Sequence, residues 1–381
     1  MMSTEQDDIQ FSSESDKDRY ARHRLISWWD QGKLLRSRAL VIGAGALGNE
    51  VLKNLALLGV GHMLVVDFDS IDVSNLSRTV LFTESDLGKP KAQVAAEAVK
   101  RINSDVEVEW LHGDLELDLG LNRIKEFDIA LGCVDSVNAR WALNRSCSRV
   151  GIPWVNAGIS ATAGEVALFD ASKGGCYECG MTDGMWRRFN ERYSCMLLLK
   201  SLPENKVPTT TVISSMTAAL QVNEAVAILH GSSDHLEPGQ KLFFSLKPYR
   251  FFIVDIPRDP ACLAHEPISS TVRINSSPAE LTASALLEMI PKSQSLELDF
   301  DIVASLTCAN CGDVPYSVPA KRFSMKNVPC PSCGKSRSPN TIHEIPQGCS
   351  LSTKKLSDIG VPVGAILRVK TAGGPVYVSL A

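Results

Sequence analysis

A chain of 381 residues is long enough for one large α/β domain and a smaller companion. A hydrophobic share of 44% fits a globular protein, and a formal net charge of −4 argues against nucleic acid or an anionic membrane as partner. No apolar run approaches the roughly 20 residues of a membrane span, and the polar start lacks a secretory signal, so the cytoplasm is the expected location.

Residues 1–18 read as a polar tail. From Arg38 onward, short β-branched runs alternate with helix-period runs. Strands are predicted at 38–45, 62–69, 106–113, 127–135 and 152–158. Between the first two lies a helix with Val51, Leu55 and Leu58 on one apolar face; further helices are predicted at 91–102, after Pro90, and at 141–150. This alternation predicts a doubly wound parallel sheet. A further strand at 164–172 is expected to be antiparallel, and 173–208 to be irregular connections. A helix then runs from Thr209–Thr211 to a C-cap at Gly231, followed by a hairpin of 241–246 and 250–256. The Pro- and Ser-rich stretch Pro257–Ser277 is expected to end the large domain, with a linker at 267–277. Beyond it come a predicted helix (280–290), a strand (296–306), a cysteine-rich stretch and strands at 366–371 and 375–380. The expected organisation is a tail at 1–18, an α/β domain at 19–266, the linker, and an α+β module at 278–381.

The segment GAGALG follows a strand and opens a helix, so Gly43, Gly45 and Gly48 fit a turn that brings backbone N–H groups and a helix N-terminus against phosphate. Asp67 ends the next strand, where an acid takes ribose hydroxyls. A nicotinamide dehydrogenase shows the same pair, so these residues alone leave both readings open.

Eleven cysteines without an export signal point to metal or thiol chemistry rather than disulfides. Cys308/Cys311 and Cys330/Cys333 are C-x-x-C pairs with 18 residues between them, a zinc-ribbon spacing. Cys176 and Cys179 form a third pair. Cys133 falls in a strand and Cys147 in a helix, where free cysteine packs in cores. Cys349 follows the ribbon, and its surroundings say little.

The stretch VVDFDSIDVSNLSRTVLF, followed by GKPKA, resembles the pattern of the ThiF/MoeB/ubiquitin-activating superfamily of adenylyltransferases. The resemblance spans roughly residues 19–260. It implies a Rossmann-like ATP-binding domain in which Asp67, with Asp69 in the same D-x-D motif, binds ribose. Asn75, Arg78 and Lys91 would face the triphosphate, and Asp135 in GCVDSVNAR would hold Mg²⁺. The superfamily usually has Gln where this chain has Thr79, and Asn where it has Ser136. RYARH resembles the family's R-Y-x-R-Q, in which the second arginine, here Arg22, reaches into a partner subunit's site, so a homodimer is implied. Relatives complete the zinc tetrahedron of Cys176 and Cys179 with a later pair, which here would be Cys262 and His265. Cys195 lies in a crossover where ubiquitin-like activating enzymes carry their thioester-forming cysteine; Lys200 and Lys206 are basic neighbours that would lower its pKa.

The chemistry implied by the resemblance needs no general base. An ionised carboxylate attacks the α-phosphate of ATP, and phosphate charge must be neutralised in line. The leading expectation is an enzyme that adenylates the C-terminal glycine of a ubiquitin-like protein. It would capture that protein on Cys195 and pass it to a conjugating enzyme, recruited by the C-terminal module. The close alternative is adenylation of a sulfur-carrier protein of the thiamin or molybdopterin type. A nicotinamide dehydrogenase leaves Asn75, Arg78, Lys91 and the zinc pairs unexplained, and an inactive scaffold has no need of the charged phosphate ligands.

Overall fold

The computed structural model describes residues 18–187, 208–323 and 328–381. Eight strands make one sheet: β1 (Arg38–Ile42), β2 (His62–Val66), β3 (Glu107–Leu111), β4 (Ile129–Gly132), β5 (Trp154–Ile159), β6 (Ala163–Phe169), β7 (Gln240–Leu246) and β8 (Tyr249–Asp255). Their order is β3-β2-β1-β4-β5-β6-β7-β8, with parallel pairing through β5 and antiparallel pairing beyond it. The parallel part is the doubly wound sheet that the alternating sequence predicts, since parallel neighbours need crossovers that place helices on the sheet faces.

On one face lie α1 (Gln31–Arg36), α2 (Ala46–Leu58) and α3 (Lys91–Ile102). The other carries α4 (Leu115–Asp118), α5 (Leu121–Ile124) and α6 (Val137–Val150), and α7 (Thr211–His230) returns to the first face. The sheet buries Val41, Val65, Leu131 and Val155 against α2, α3 and α7, and Leu40, Leu64, Ala130 and Trp154 against α4–α6. Alternation of side chains across the pleat thus fills two cores from the same strands.

By length and composition α7 could cross a membrane, contrary to the expectation that no apolar run comes near that size. Its Ile213, Ala218, Val222 and Ala225 are buried. Gln221 is fully buried too, donating to the carbonyls of Gly132 (3.1 Å) and Val155 (2.8 Å), so α7 is a core helix of this domain.

The second sheet holds β9 (Val272–Ile274), β10 (Ser293–Cys308), β11 (Gly312–Pro319), β12 (Ser338–Pro346), β13 (Ile366–Thr371) and β14 (Gly374–Leu380), with helix α8 at Ala283–Met289. Its order is β11-β10-β13-β14-β9, and β12 also pairs with β10. Leu286, Leu296, Ile302, Leu356, Val369 and Val378 form its core. The expected linker 267–277 therefore needs correction, because β9 lies inside it and pairs in parallel with β14. Three residues are too few for a readable period, yet their backbone groups complete the ladder that the β14 edge offers.

Candidate active site

The carboxyl ends of β2, β1 and β4 lie side by side in the sheet, and the cleft outside such ends is where open α/β sheets bind ligands. Gly43 leaves β1 at φ +95°, and a side chain there would meet the Cys133 carbonyl oxygen at 2.6 Å. A Cβ on Gly48 would lie 1.9 Å from the Gly43 carbonyl oxygen, so both positions require glycine. Gly45 meets nothing within 4 Å, leaving the space over the N-terminus of α2 open. That opening suits a phosphate group.

Asp67 ends β2 and ties this loop down. Its Oδ2 accepts from the Ala44 N–H at 2.6 Å and its Oδ1 from the Asp69 N–H at 2.7 Å. Burial pushes its carboxyl above the usual carboxylate range, against the pull of the Ala44 N–H and the Lys91 charge.

Lys91 lies 24 residues further along the chain but is brought back by a closed loop. Ile71 N–H donates to the Lys89 carbonyl at 2.9 Å, and Lys91 N–H to the Asp69 carbonyl at 3.0 Å. The buried Lys91 ammonium then pairs with Asp69 at 2.6 Å. Asn75 caps a short turn, its Oδ1 accepting from the Asp72 N–H at 2.9 Å, which leaves its amide NH₂ as a donor. Arg78 Nη1 donates to the Ser74 carbonyl at 2.7 Å. Asp135, after β4, is exposed, and among the described residues nothing donates to its carboxylate.

The two departures from the family pattern have local reasons. Thr79 is buried and donates its hydroxyl to the Asn75 carbonyl at 3.0 Å. Ser136 is the N-cap of α6, accepting from the Ala139 N–H at 3.1 Å, a role that Asn fills equally well.

Asn49 and Arg140 are site residues that pattern reading missed. Asn49 is fully buried; it donates to the carbonyls of Ala44 (2.7 Å) and Gly45 (3.1 Å) and accepts from the Leu81 N–H (2.9 Å). It thereby staples the glycine loop to the segment carrying Arg78. Arg140 Nη2 donates to the carbonyls of Val134 (3.0 Å) and Ala157 (3.3 Å), fixing the loop that carries Asp135. For Asn49 the available signal was a polar residue within the helix predicted between the first two strands; Arg140 precedes the predicted helix 141–150 and gave none, because α6 begins earlier, at Val137.

Arg22 is not brought to this cleft. Tyr20 beside it is buried, its hydroxyl accepting from Asn103 at 2.8 Å, and Arg19 donates to the Ile102 carbonyl at 2.7 Å. These anchors lie at the C-terminal ends of α2 and α3, at the opposite edge of the sheet, and Arg22 is exposed. Cys195 lies outside the described residues. Cys133 and Cys147 are buried, and burial pushes both thiols up, Cys133 to about 12, so they are core residues rather than nucleophiles.

Two side-chain clusters have metal-ligand geometry. Cys176 Sγ lies 3.7 Å from both Cys179 Sγ and Cys262 Sγ, and Cys179 Sγ is 3.3 Å from His265 Nε2. In a tetrahedral site with Zn–S bonds of about 2.3 Å, sulfurs sit about 3.8 Å apart, so these residues fit Zn²⁺. Burial pushes the Cys262 thiol up to about 12, the cost a bound cation removes. Glu178, between the two cysteines, is buried and held to Arg145 of α6 by two hydrogen bonds of 2.9 Å each. The ligand atoms of Cys308, Cys311, Cys330 and Cys333 likewise lie within 4.8 Å of one another. The N–H groups of Ser332 and Cys333 hold Cys330 down at about 6, favouring a thiolate in that turn.

The ThiF family pattern matches residues 18–264. The chain belongs to the ThiF family, and so to the E1-like adenylyltransferase superfamily of enzymes. It is 31% identical over 255 residues to the SAMP-activating enzyme E1 of Haloferax volcanii, covering 64% of this chain and 87% of that protein. It is 30% identical over 259 residues to the sulfur carrier protein adenylyltransferase of Thermus thermophilus, covering 64% of this chain and 89% of that one. With SUMO-activating enzyme subunit 2 of Dictyostelium discoideum it shares 36% identity over 148 residues, 39% of this chain but only 22% of the subunit. A crystal structure of Escherichia coli MccB with ATP superposes with a TM-score of 0.55 at 24% identity, covering 67% of this chain and 75% of MccB, a likeness of fold.

Proposed function

We propose that this protein uses ATP to adenylate the C-terminal glycine carboxylate of a small ubiquitin-like protein. The observation that carries the reading is Asp67 tied to the glycine loop beside the open N-terminus of α2, with the Lys91–Asp69 pair two residues further on, in a ThiF-family domain; the family pattern assigns Asn75, Arg78 and Asp135 to the same site. The substrate carboxylate attacks the α-phosphorus; the bond to the bridging oxygen breaks, and its electron pair leaves on pyrophosphate. Arg78 grips phosphate oxygens, Lys91, aimed by Asp69, adds a point charge, and the Asn75 amide donates. Asp67 holds the ribose. Asp135 would hold Mg²⁺, which when bound offsets charge on the leaving group.

Cys195 then takes the acyl group as a thioester, releasing AMP, before transfer to a conjugating enzyme. Cys176, Cys179, Cys262 and His265 would hold one Zn²⁺, which would pin the stretch after Lys173 to the end of the domain, and Cys308, Cys311, Cys330 and Cys333 would hold a second in a zinc-ribbon arrangement. The sulfur-carrier reading is favoured by the similarity to the Thermus protein over 89% of its length. In that case the adenylate passes to sulfur.

Exchange of labelled pyrophosphate into ATP, in the presence of the small-protein substrate, tests the site. Arg78→Ala, Lys91→Ala and Asp135→Ala are each expected to lower the rate about 10²-fold or more. Near-normal exchange in all three overturns the assignment. Cys195→Ala is expected to keep exchange and lose a reductant-sensitive enzyme–substrate adduct. Adenylate formation with no such adduct in the wild type favours the sulfur-carrier reading.

A further inference from the structure

The stretch between β3 and β4 is shared by two parts of the molecule. Its start carries Asp67: the Asp67 N–H donates to the Leu111 carbonyl at 3.1 Å, and the Gly113 N–H to the Asp67 carbonyl at 3.2 Å. Directly after, Asp114 caps α4, accepting from the Glu116 N–H at 2.9 Å. Asp118 folds back onto the same turn. Its Oδ2 accepts from the Asp114 N–H at 2.8 Å, and it packs on Gly113 so closely that a side chain there would meet it at 2.8 Å.

The C-terminal module grips this acidic turn from the outside. Arg322 Nη2 donates to Asp118 Oδ1 at 2.5 Å. Lys321 Nζ lies 3.2 Å from Asp114 Oδ1 and also pairs with Glu116, whose carboxylate is almost wholly buried. Further along, Gly120 lies flat on the module backbone, where a Cβ would be 2.3 Å from the Val363 carbonyl oxygen. Asn122 N–H donates to the Gly364 carbonyl at 3.0 Å.

We propose that Lys321 and Arg322 are positioning residues for the nucleotide site, by which the C-terminal module sets the affinity for ATP. The inference rests on the reading of Asp67 as the ribose ligand. Asp114, Glu116 and Asp118 crowd three carboxylates into one turn, one of them buried. Like charges at this spacing repel, and a buried carboxylate without its cation is strongly disfavoured. Removing Lys321 or Arg322 favours opening of the turn, which withdraws the 111–113 backbone from Asp67 and loosens the carboxylate that closes the glycine loop. Neither cation touches the nucleotide, so the effect falls on ATP binding rather than on phosphoryl chemistry.

The test uses full-length protein, calorimetric titration with a non-hydrolysable ATP analogue, and pyrophosphate exchange at varied ATP. Arg322→Ala and Lys321→Ala are each expected to raise both the Kd for the analogue and the KM for ATP about tenfold, with kcat within about twofold. Arg322→Lys is expected to recover most of the affinity. The paired reversal Asp118→Arg with Arg322→Asp is expected to bind better than either single reversal, which reads the same coupling if the alanine variants do not fold. Unchanged Kd in folded Arg322→Ala and Lys321→Ala overturns the inference. So does a fall in kcat at constant KM, or a folded paired reversal no better than the single ones. Wild-type protein that does not bind the analogue overturns the nucleotide reading itself, and this inference with it.

Discussion

Asn49 shows how much of the site depends on one amide. Its three hydrogen bonds join the glycine loop to the Arg78 segment, and its side chain is sealed from water. Asn49→Ala leaves the Ala44 carbonyl and the Leu81 N–H short of partners, at about 1–3 kcal/mol for each unsatisfied group. Chemical denaturation is expected to show a loss of a few kcal/mol, with the midpoint lowered and the slope unchanged; an unchanged midpoint contradicts the staple. Asp67 gives a pH prediction. Because burial raises its folded pKa above the unfolded value, its titration favours the folded state at low pH, and that contribution is lost as pH rises through the raised value. Nucleotide binding runs the other way, since the ribose hydroxyls need the ionised form as acceptor. The KM for ATP is expected to climb as pH falls, beginning above the usual carboxylate range. A profile flat down to that range rules Asp67 out as the ribose ligand.

At the scale of elements, the parallel strands were legible because each is a short β-branched run ending where a helix begins. The three C-x-x-C pairs were legible because metal-ligand spacing is local, whereas Cys262 and His265 were assigned only through the family resemblance. Less was readable where tertiary contacts decide. Helices α4 and α5 are four residues each, and β9 is three, all below any period. The Lys91–Asp69 pair exists only because the loop between them closes on itself. Glu178 belongs to this class too, since nothing in GCYECG announces its bond to Arg145. Glu178→Ala removes one partner of a largely buried pair, expected to cost about 3 kcal/mol and to weaken metal retention by the neighbouring cysteines. Elemental analysis is expected to find two zinc ions in the wild-type chain and one in Cys308→Ser. In that variant the C-terminal module is expected to become protease-sensitive, because metal supplies much of the folding free energy of so small a turn pair. Equal zinc content in both proteins removes the second cluster from the assignment.

At the scale of the whole molecule, the chain topology places Arg22 where its own cleft cannot use it. In a parallel α/β sheet the helix C-termini lie at the edge opposite the strand C-termini, and Tyr20 and Arg19 are fastened to the former. Arg24 is paired with Asp18, so of the three arginines here only Arg22 is left without a partner among the described residues. A homodimer in which each Arg22 enters the other subunit's cleft gives that side chain a task. The expected consequence is complementation. Arg22→Ala and Lys91→Ala homodimers are each expected to be nearly inactive in pyrophosphate exchange. In a mixed dimer, one cleft combines the Lys91→Ala subunit with a partner lacking Arg22, and is doubly impaired. The other has an intact Lys91 in its own subunit and an intact Arg22 arriving from the partner. Mixing the two variants is therefore expected to restore exchange to about one quarter of the wild-type rate: half the dimers are mixed at random assortment, and half of their clefts are intact. A tagged-subunit pull-down establishes that mixed dimers have formed. Confirmed mixed dimers without recovery place Arg22 in the structure of its own subunit, and a chain that sediments as a monomer while exchanging pyrophosphate removes the shared cleft altogether.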